Sequence, residues 1–339
     1  MPSRLFATLW LLAGTLASAG LSASSAAAQQ TEPAPRVLSG QVVKDGQPVP
    51  DAAVTVHRVT AEKSGPIAHL TSGQDGHFSL PLPPPDTVSF TVYFATVDYE
   101  SVRYFGAPLH PEDTGSGYQI EVFDTVSALP GAIRTSRRDL VFVRGTDGRW
   151  QVNEAVRIHN SADRTLVSAG GMPTWTVPLP EGFANFQTGE GELGANDIKL
   201  MGDEMLVLAS LVPGDREVFV RYTLPATLHS TELTVGNPTD SLNVYVQQPA
   251  PNFEIAGLPE TTVLTVEGQK FVRYSGVDLA KGDRISAQWE SNAPPVSPVL
   301  AGAVVAAVLL LLASWIAFRN RETPVPDAGP GARTTGQPV

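Results

Sequence analysis

Two short stretches place histidine beside carboxylates, the residue types that bind metals and move protons. His110-Pro-Glu112-Asp113 sits on a predicted loop, and His229-Ser-Thr-Glu232 has the spacing of a zinc-ligating His-x-x-Glu. The second lies in a strand-like run, where residues three apart point to opposite faces, and no histidine follows it to complete a ligand set. The acidic stretch from Glu190 to Glu204 offers oxygens for calcium but lacks the alternating Asp/Asn ladder with a closing glutamate. There is no Gly-x-Ser-x-Gly elbow, no phosphate loop and no dinucleotide fingerprint, so no motif calls for a cofactor. A metal-dependent hydrolase using His110, Glu112 and Asp113, or His229 and Glu232, is the weakest of three functional readings.

A third stretch, Thr71-Ser-Gly-Gln-Asp75-Gly76-His77-Phe78, also reads as a site at first sight. Its chemistry is that of a turn. Ile67 to Thr71 and Phe78 to Leu82 alternate like strands, and Asp75-Gly76 is a hairpin signal because glycine accepts a positive φ. Phe78 is then a core residue and His77 faces solvent.

The rest of the body follows the same pattern. Val88 to Phe94, Gln119 to Phe123, Trp150 to Ile158, Glu217 to Thr223 and Leu242 to Val246 are short runs with period two, separated by Gly, Pro, Asn and Asp. The expected fold is all-β: two β-sandwich domains plus one C-terminal transmembrane α-helix. In the 88–94 run, Phe90, Val92 and Phe94 are assigned to the buried face and Tyr93 to the outside.

Residues 1–28 read as a signal peptide, with Arg4 before an apolar run and small residues Ala26 to Ala28 before Gln29. Residues 296–318 carry no charge, long enough as a helix to cross about 30 Å of hydrocarbon. Gly302 and Ala306 form a small-xxx-small step there, and Trp315 is placed at the inner interface. Arg319 and Arg321 follow, which assigns 319–339 to a disordered cytoplasmic tail and the body to the outside of a bacterial cytoplasmic membrane, periplasmic or extracellular. The chain has no cysteine, which excludes disulfides, thiol chemistry and covalent haem. A net charge of −11 argues against nucleic-acid partners.

Gly40, Gly46, Pro48, Asp75, Gly76 and Phe78, in their order and spacing, resemble the carboxypeptidase regulatory-like domain, a transthyretin-like (prealbumin-like) sandwich of bacterial envelope proteins. The resemblance covers about residues 36–124. It implies a β-sandwich in which the glycines form turns, Pro48 opens a strand, Phe78 fills the core and no residue is catalytic. Gly73 departs from the acidic residue usual there, and Tyr99 to Gly117 reads as a surface loop. The overall layout more faintly resembles envelope proteins that accompany cytochrome c maturation components. Residues 125–136 are expected to be a linker and 137–290 a second sandwich, to which 253–290 is assigned because it is too short to fold alone.

Two clusters are candidate interaction surfaces. Tyr93, Tyr99 and Tyr104, with Phe105, form an aromatic group suited to sugars or proteins. Arg134, Arg137 and Arg138, with Arg144 and Arg149, form a basic group in an acidic body. The first reading of function is a non-catalytic, membrane-anchored envelope protein that binds a protein partner or assists an envelope complex. The second is a carbohydrate- or cell-wall-binding module that stacks sugars on those tyrosines.

Overall fold

The computed structural model describes residues 36–83, 90–110 and 117–290. The stretches expected to be a signal peptide, a transmembrane helix and a tail lie outside them, as do Glu112 and Asp113. Among the described residues every regular element is a β-strand, as the period-two patterning predicts.

The first unit is two four-stranded sheets. In one, Val37–Lys44 pairs antiparallel with Gln47–Pro48 and His77–Pro81 and parallel with Tyr118–Glu121. The other runs in the order Ser64–Thr71, Ala53–Thr60, Thr91–Tyr99, Val102–Phe105. Both supply one core, with Leu38, Val42, Phe78 and Ile120 from the first and Val54, Val56, Tyr93, Ala95 and Val97 from the second. Gly40 is required there, since a Cβ would lie 2.5 Å from the Phe78 ring.

The Thr71 to Phe78 stretch is a turn. Asp75 Oδ1 accepts from the His77 amide at 3.1 Å, and the Gly76 and Gly73 amides donate to the carbonyls of Gly73 and His77. Gly76 has φ +73°, and a Cβ there would meet the Val42 carbonyl at 2.6 Å. Gly46, with φ +72°, turns the chain back toward Pro48, which pairs with Val43. The turn differs from a hairpin in one respect: it carries the chain from one sheet to the other, because Ser64–Thr71 pairs with Ala53–Thr60 and His77–Pro81 pairs with Val37–Lys44.

The 90–97 strand has the opposite phase to the one expected. Thr91, Tyr93, Ala95 and Val97 are buried, Val92 and Phe94 are half-buried, and Phe90 is 63% exposed. Both parities of this strand are apolar, so alternation alone does not choose a face. Backbone bonds in both directions between Tyr93 and Leu109, and the Tyr118 hydroxyl donated to by the Ala95 amide at 2.9 Å, hold the observed phase. Part of the expected Tyr99 to Gly117 loop is a strand, Val102–Phe105, paired with Thr91–Tyr99.

The second unit is built on a seven-stranded sheet, ordered Ala184–Thr188, Gly214–Leu224, Trp150–Asn160, Ile133–Arg144, Thr239–Gln247, Gln269–Leu279, Glu260–Val266. Ile133–Arg144 and Thr239–Gln247 run parallel, and the other neighbours are antiparallel. One face packs on two three-stranded sheets. Val177, Met205 and Ile198 come from one of these, Leu233, Ile285 and Ala287 from the other, and Phe142, Val152, Val220 and Val244 from the large sheet. Residues 253–290 contribute strands to the large sheet and to one small sheet, and Phe253, Leu258 and Trp289 join the same core.

Between the units the chain is structured. Thr125–Val126 pairs in parallel with Thr165–Leu166, inside the stretch expected to be a linker. The Tyr104 hydroxyl lies 2.9 Å from Thr165 Oγ1 and donates to the Phe123 carbonyl at 2.9 Å. Glu100 accepts from the Thr125 amide at 2.8 Å, and Val167 and Val212 pack on the first core.

Candidate functional site

The two clusters expected on the surface are mostly inside. Tyr93 is 1% exposed and Tyr104 3%, and Tyr99 is half-buried against the first core. These tyrosines therefore offer no sugar-stacking platform. The cause is the inverted phase of the 90–97 strand, together with the hydroxyl of Tyr104 being used between the units.

The basic cluster is dispersed by a β-bulge. Register shifts between Thr135 and Arg137. Ile133 and Thr135 are buried before it, and Arg138, Leu140 and Phe142 are buried after it. One inserted residue changes which parity faces the core. Arg138 is thereby turned inward, 2.7 Å from Glu154 Oε1, and also donates to the Pro178 carbonyl. Arg137 lies on the other face against Asp139, at 2.5 Å. Burial raises the Asp139 carboxyl above the usual range despite that partner. Arg144 is buried with its guanidinium 5.0 Å from the Trp150 ring centre. Arg134 and Arg149 are exposed, each paired with an aspartate, Asp240 and Asp147. Of the five arginines, only Arg134 and Arg149 remain exposed at the surface.

The histidine–carboxylate candidates do not converge. His229 is exposed, and Glu232 pairs with Arg284 at 3.3 Å. In the 190–204 stretch Glu192 pairs with Arg216 and Asp197 caps the Gly194 amide. Among the described residues no three His, Asp or Glu side chains are grouped to hold a metal ion.

What the first unit does present is an outward aromatic face, formed by the parity that sequence reasoning placed inside. The His57 ring stacks on Phe94 with centroids 4.7 Å apart and planes 3° apart. Phe94 is 6.3 Å from Phe105, which is 61% exposed. Phe90 meets His110 edge-on at 6.0 Å. His57 is fixed by Thr96 Oγ1 at 3.2 Å, and burial, then the nearby Arg103 and His69, lower its pKa, favouring the neutral ring. Arg103 and Asp98 close one side as an exposed fork pair at 2.8 and 3.0 Å. The face unites residues far apart in sequence through the Ala53–Thr60, Thr91–Tyr99 and Val102–Phe105 pairing, so no local motif reveals it.

A cleft of about 800 Å³ lies near the contact between the units, lined by Leu129, Ile133, Leu166, Met172, Trp175 and Pro238, with Arg134 and Lys281 as its cations.

No protein-family model matches the chain, and no curated protein is similar to it. Among solved structures, an M1 zinc metallopeptidase from Deinococcus radiodurans is similar at 11% identity and TM-score 0.27, over 47% of this chain and 42% of that one. Legionella pneumophila aminopeptidase A is similar at 11% identity and TM-score 0.30, over 48% of this chain and 22% of that one. The chain spans less than half the length of these structures, and likeness at this level carries no functional argument.

Proposed function

We propose that the chain is a non-catalytic, membrane-anchored protein of the bacterial envelope, and that the outer aromatic face of its first unit docks a protein partner. The observation that carries this is the exposure of Phe90 and Phe105, 63% and 61%, beside the stacked His57–Phe94 pair. Contiguous exposed aromatics are costly to leave in water and mark interaction surfaces. Phenylalanine suits a protein partner better than a glycan. It lacks the polar handle of tyrosine or tryptophan, and one face of Phe94 is already covered by His57. The Arg103–Asp98 pair supplies a polar rim that orients the partner. The apolar stretch 296–318 and the arginines after it support the anchor and its orientation.

The absence of cysteine permits a direct test of that topology. A single cysteine at Val263, 66% exposed in the body, should react with a membrane-impermeant maleimide in intact cells. A single cysteine at Thr335 should react only after the membrane is opened. Labelling of Thr335→Cys in intact cells, or protection of Val263→Cys, contradicts the proposed topology.

A further inference from the structure

At the Ala184–Thr188 edge of the seven-stranded sheet, a cleft of about 540 Å³ opens on the face turned away from the core. Asn153, Gln187, Glu190, Phe219 and Arg221 line it. Arg221 donates from Nε to Asn153 Oδ1 at 2.9 Å, and among the described residues its other guanidinium nitrogens make no further hydrogen bond. Among the described residues Arg103, Arg134, Arg138, Arg149, Arg157 and Arg216 each sit on an aspartate or glutamate, whereas Arg221 sits on an asparagine.

Asn153, 5% exposed, lies beneath Arg221 and fixes its side chain through that bond, leaving the outer edge of the guanidinium toward the cleft. Gly189 and Gly191 pack directly on Phe219, so closely that a Cβ on either would lie 2.9 or 2.8 Å from its side chain. The cleft thus has an aromatic wall and a guanidinium edge placed to form a planar pair.

We propose that this cleft binds a carboxylate group, gripped by the free edge of the Arg221 guanidinium above the Asn153 amide. A guanidinium edge matches a carboxylate with two parallel hydrogen bonds. The acid nearest at hand is Glu190 on the rim, since the Glu154 carboxylate is turned to the opposite face against Arg138 and Tyr222. Glu190 disfavours a second negative charge, so the ligand is one with a single carboxylate. Its chemistry is shared by a peptide C-terminus and by a uronic acid of a glycan. The site is separate from the aromatic face of the first unit and does not depend on it.

The test is saturation-transfer NMR on the purified full chain with two probe pairs, N-acetyl-alanyl-alanine against its C-terminal amide and glucuronate against glucose. The expected result is saturation of one acid probe and none of its neutral counterpart, which also identifies the source. Arg221→Gln should weaken that binding at least tenfold, whereas Glu190→Gln should leave it equal or tighter. Asn153→Asp provides a second variant, because a built-in carboxylate would occupy Arg221 and block the probe while retaining the fold. The proposal is overturned if neither acid probe exceeds its neutral analogue, or if the acid probe binds Arg221→Gln or Asn153→Asp as well as it binds the unaltered chain.

Discussion

Replacing Arg138 with leucine should destabilise the second unit by about 3–5 kcal/mol, the cost of leaving a buried charge without its partner. The arginine side chain is 4% exposed and that of Glu154 is fully buried, at 2.7 Å. The Tyr222 hydroxyl donates to the other Glu154 oxygen at 2.7 Å, and burial pushes its own ionisation well up, so it remains a donor. The three groups form one network inside an apolar core, which Arg138 extends to the Pro178 carbonyl. Arg138→Leu removes the cation and leaves the carboxylate facing Leu140 and Val156. Removing both charges should recover most of the loss, because exchanging a buried pair for hydrophobes of similar volume is often neutral or favourable. The triple variant Arg138→Leu, Glu154→Leu, Tyr222→Phe should therefore unfold in urea at a midpoint nearer the parent than Arg138→Leu alone. A single variant that unfolds at the parent's midpoint would mean that the network does not hold this core.

The second large effect is expected at Trp150, 1% exposed at the centre of an aromatic cluster. Its ring meets Phe142, Phe253 and Trp289 edge-on at 6.1, 5.4 and 6.5 Å, and Phe253 stacks on Trp289 at 5.6 Å. Trp150→Ala removes the largest side chain from a site with little freedom to collapse, at a cost of about 3–5 kcal/mol. It also removes the ring over which the Arg144 guanidinium lies. For a unit of this size the thermal midpoint should fall by on the order of 10 °C. Trp150→Phe, which keeps the edge-on contacts, should lose less than half as much.

Some of this was readable in the sequence, for definite physical reasons. Strand content follows from alternation such as Trp150, Val152, Val156 and Ile158, which has period two whatever the tertiary context. The Asp75-Gly76 turn and the burial of Phe78 are equally local, since glycine's positive φ and the next inward position need no distant partner. The phase of 90–97 was not local. Phe90, Val92 and Phe94 compete with Tyr93, Ala95 and Val97, and pairing with Leu109 and the Tyr118 hydroxyl decides between them.

The arginines misled for a related reason. Arg134, Arg137 and Arg138 look like one basic patch, but a bulge at Ser136 sends Arg138 into the core, and Asp139 takes Arg137. Charge on a strand signals solvent only if its partner is not waiting across the sheet, and Glu154 is sixteen residues away. The candidate sites are legible only after the sheets form. His57, Phe94 and Phe105 meet through strand pairing, as do Asn153 and Arg221.

The most direct measurement of the docking proposal is photocrosslinking in living cells from a single unnatural residue at Phe105, with Val277, 63% exposed on the second unit, as the control position. A discrete adduct with one or a few envelope proteins is expected at Phe105, and none of them at Val277. No protein adduct at Phe105, the same adducts at both positions, or attachment to cell-wall glycan instead of protein would contradict it.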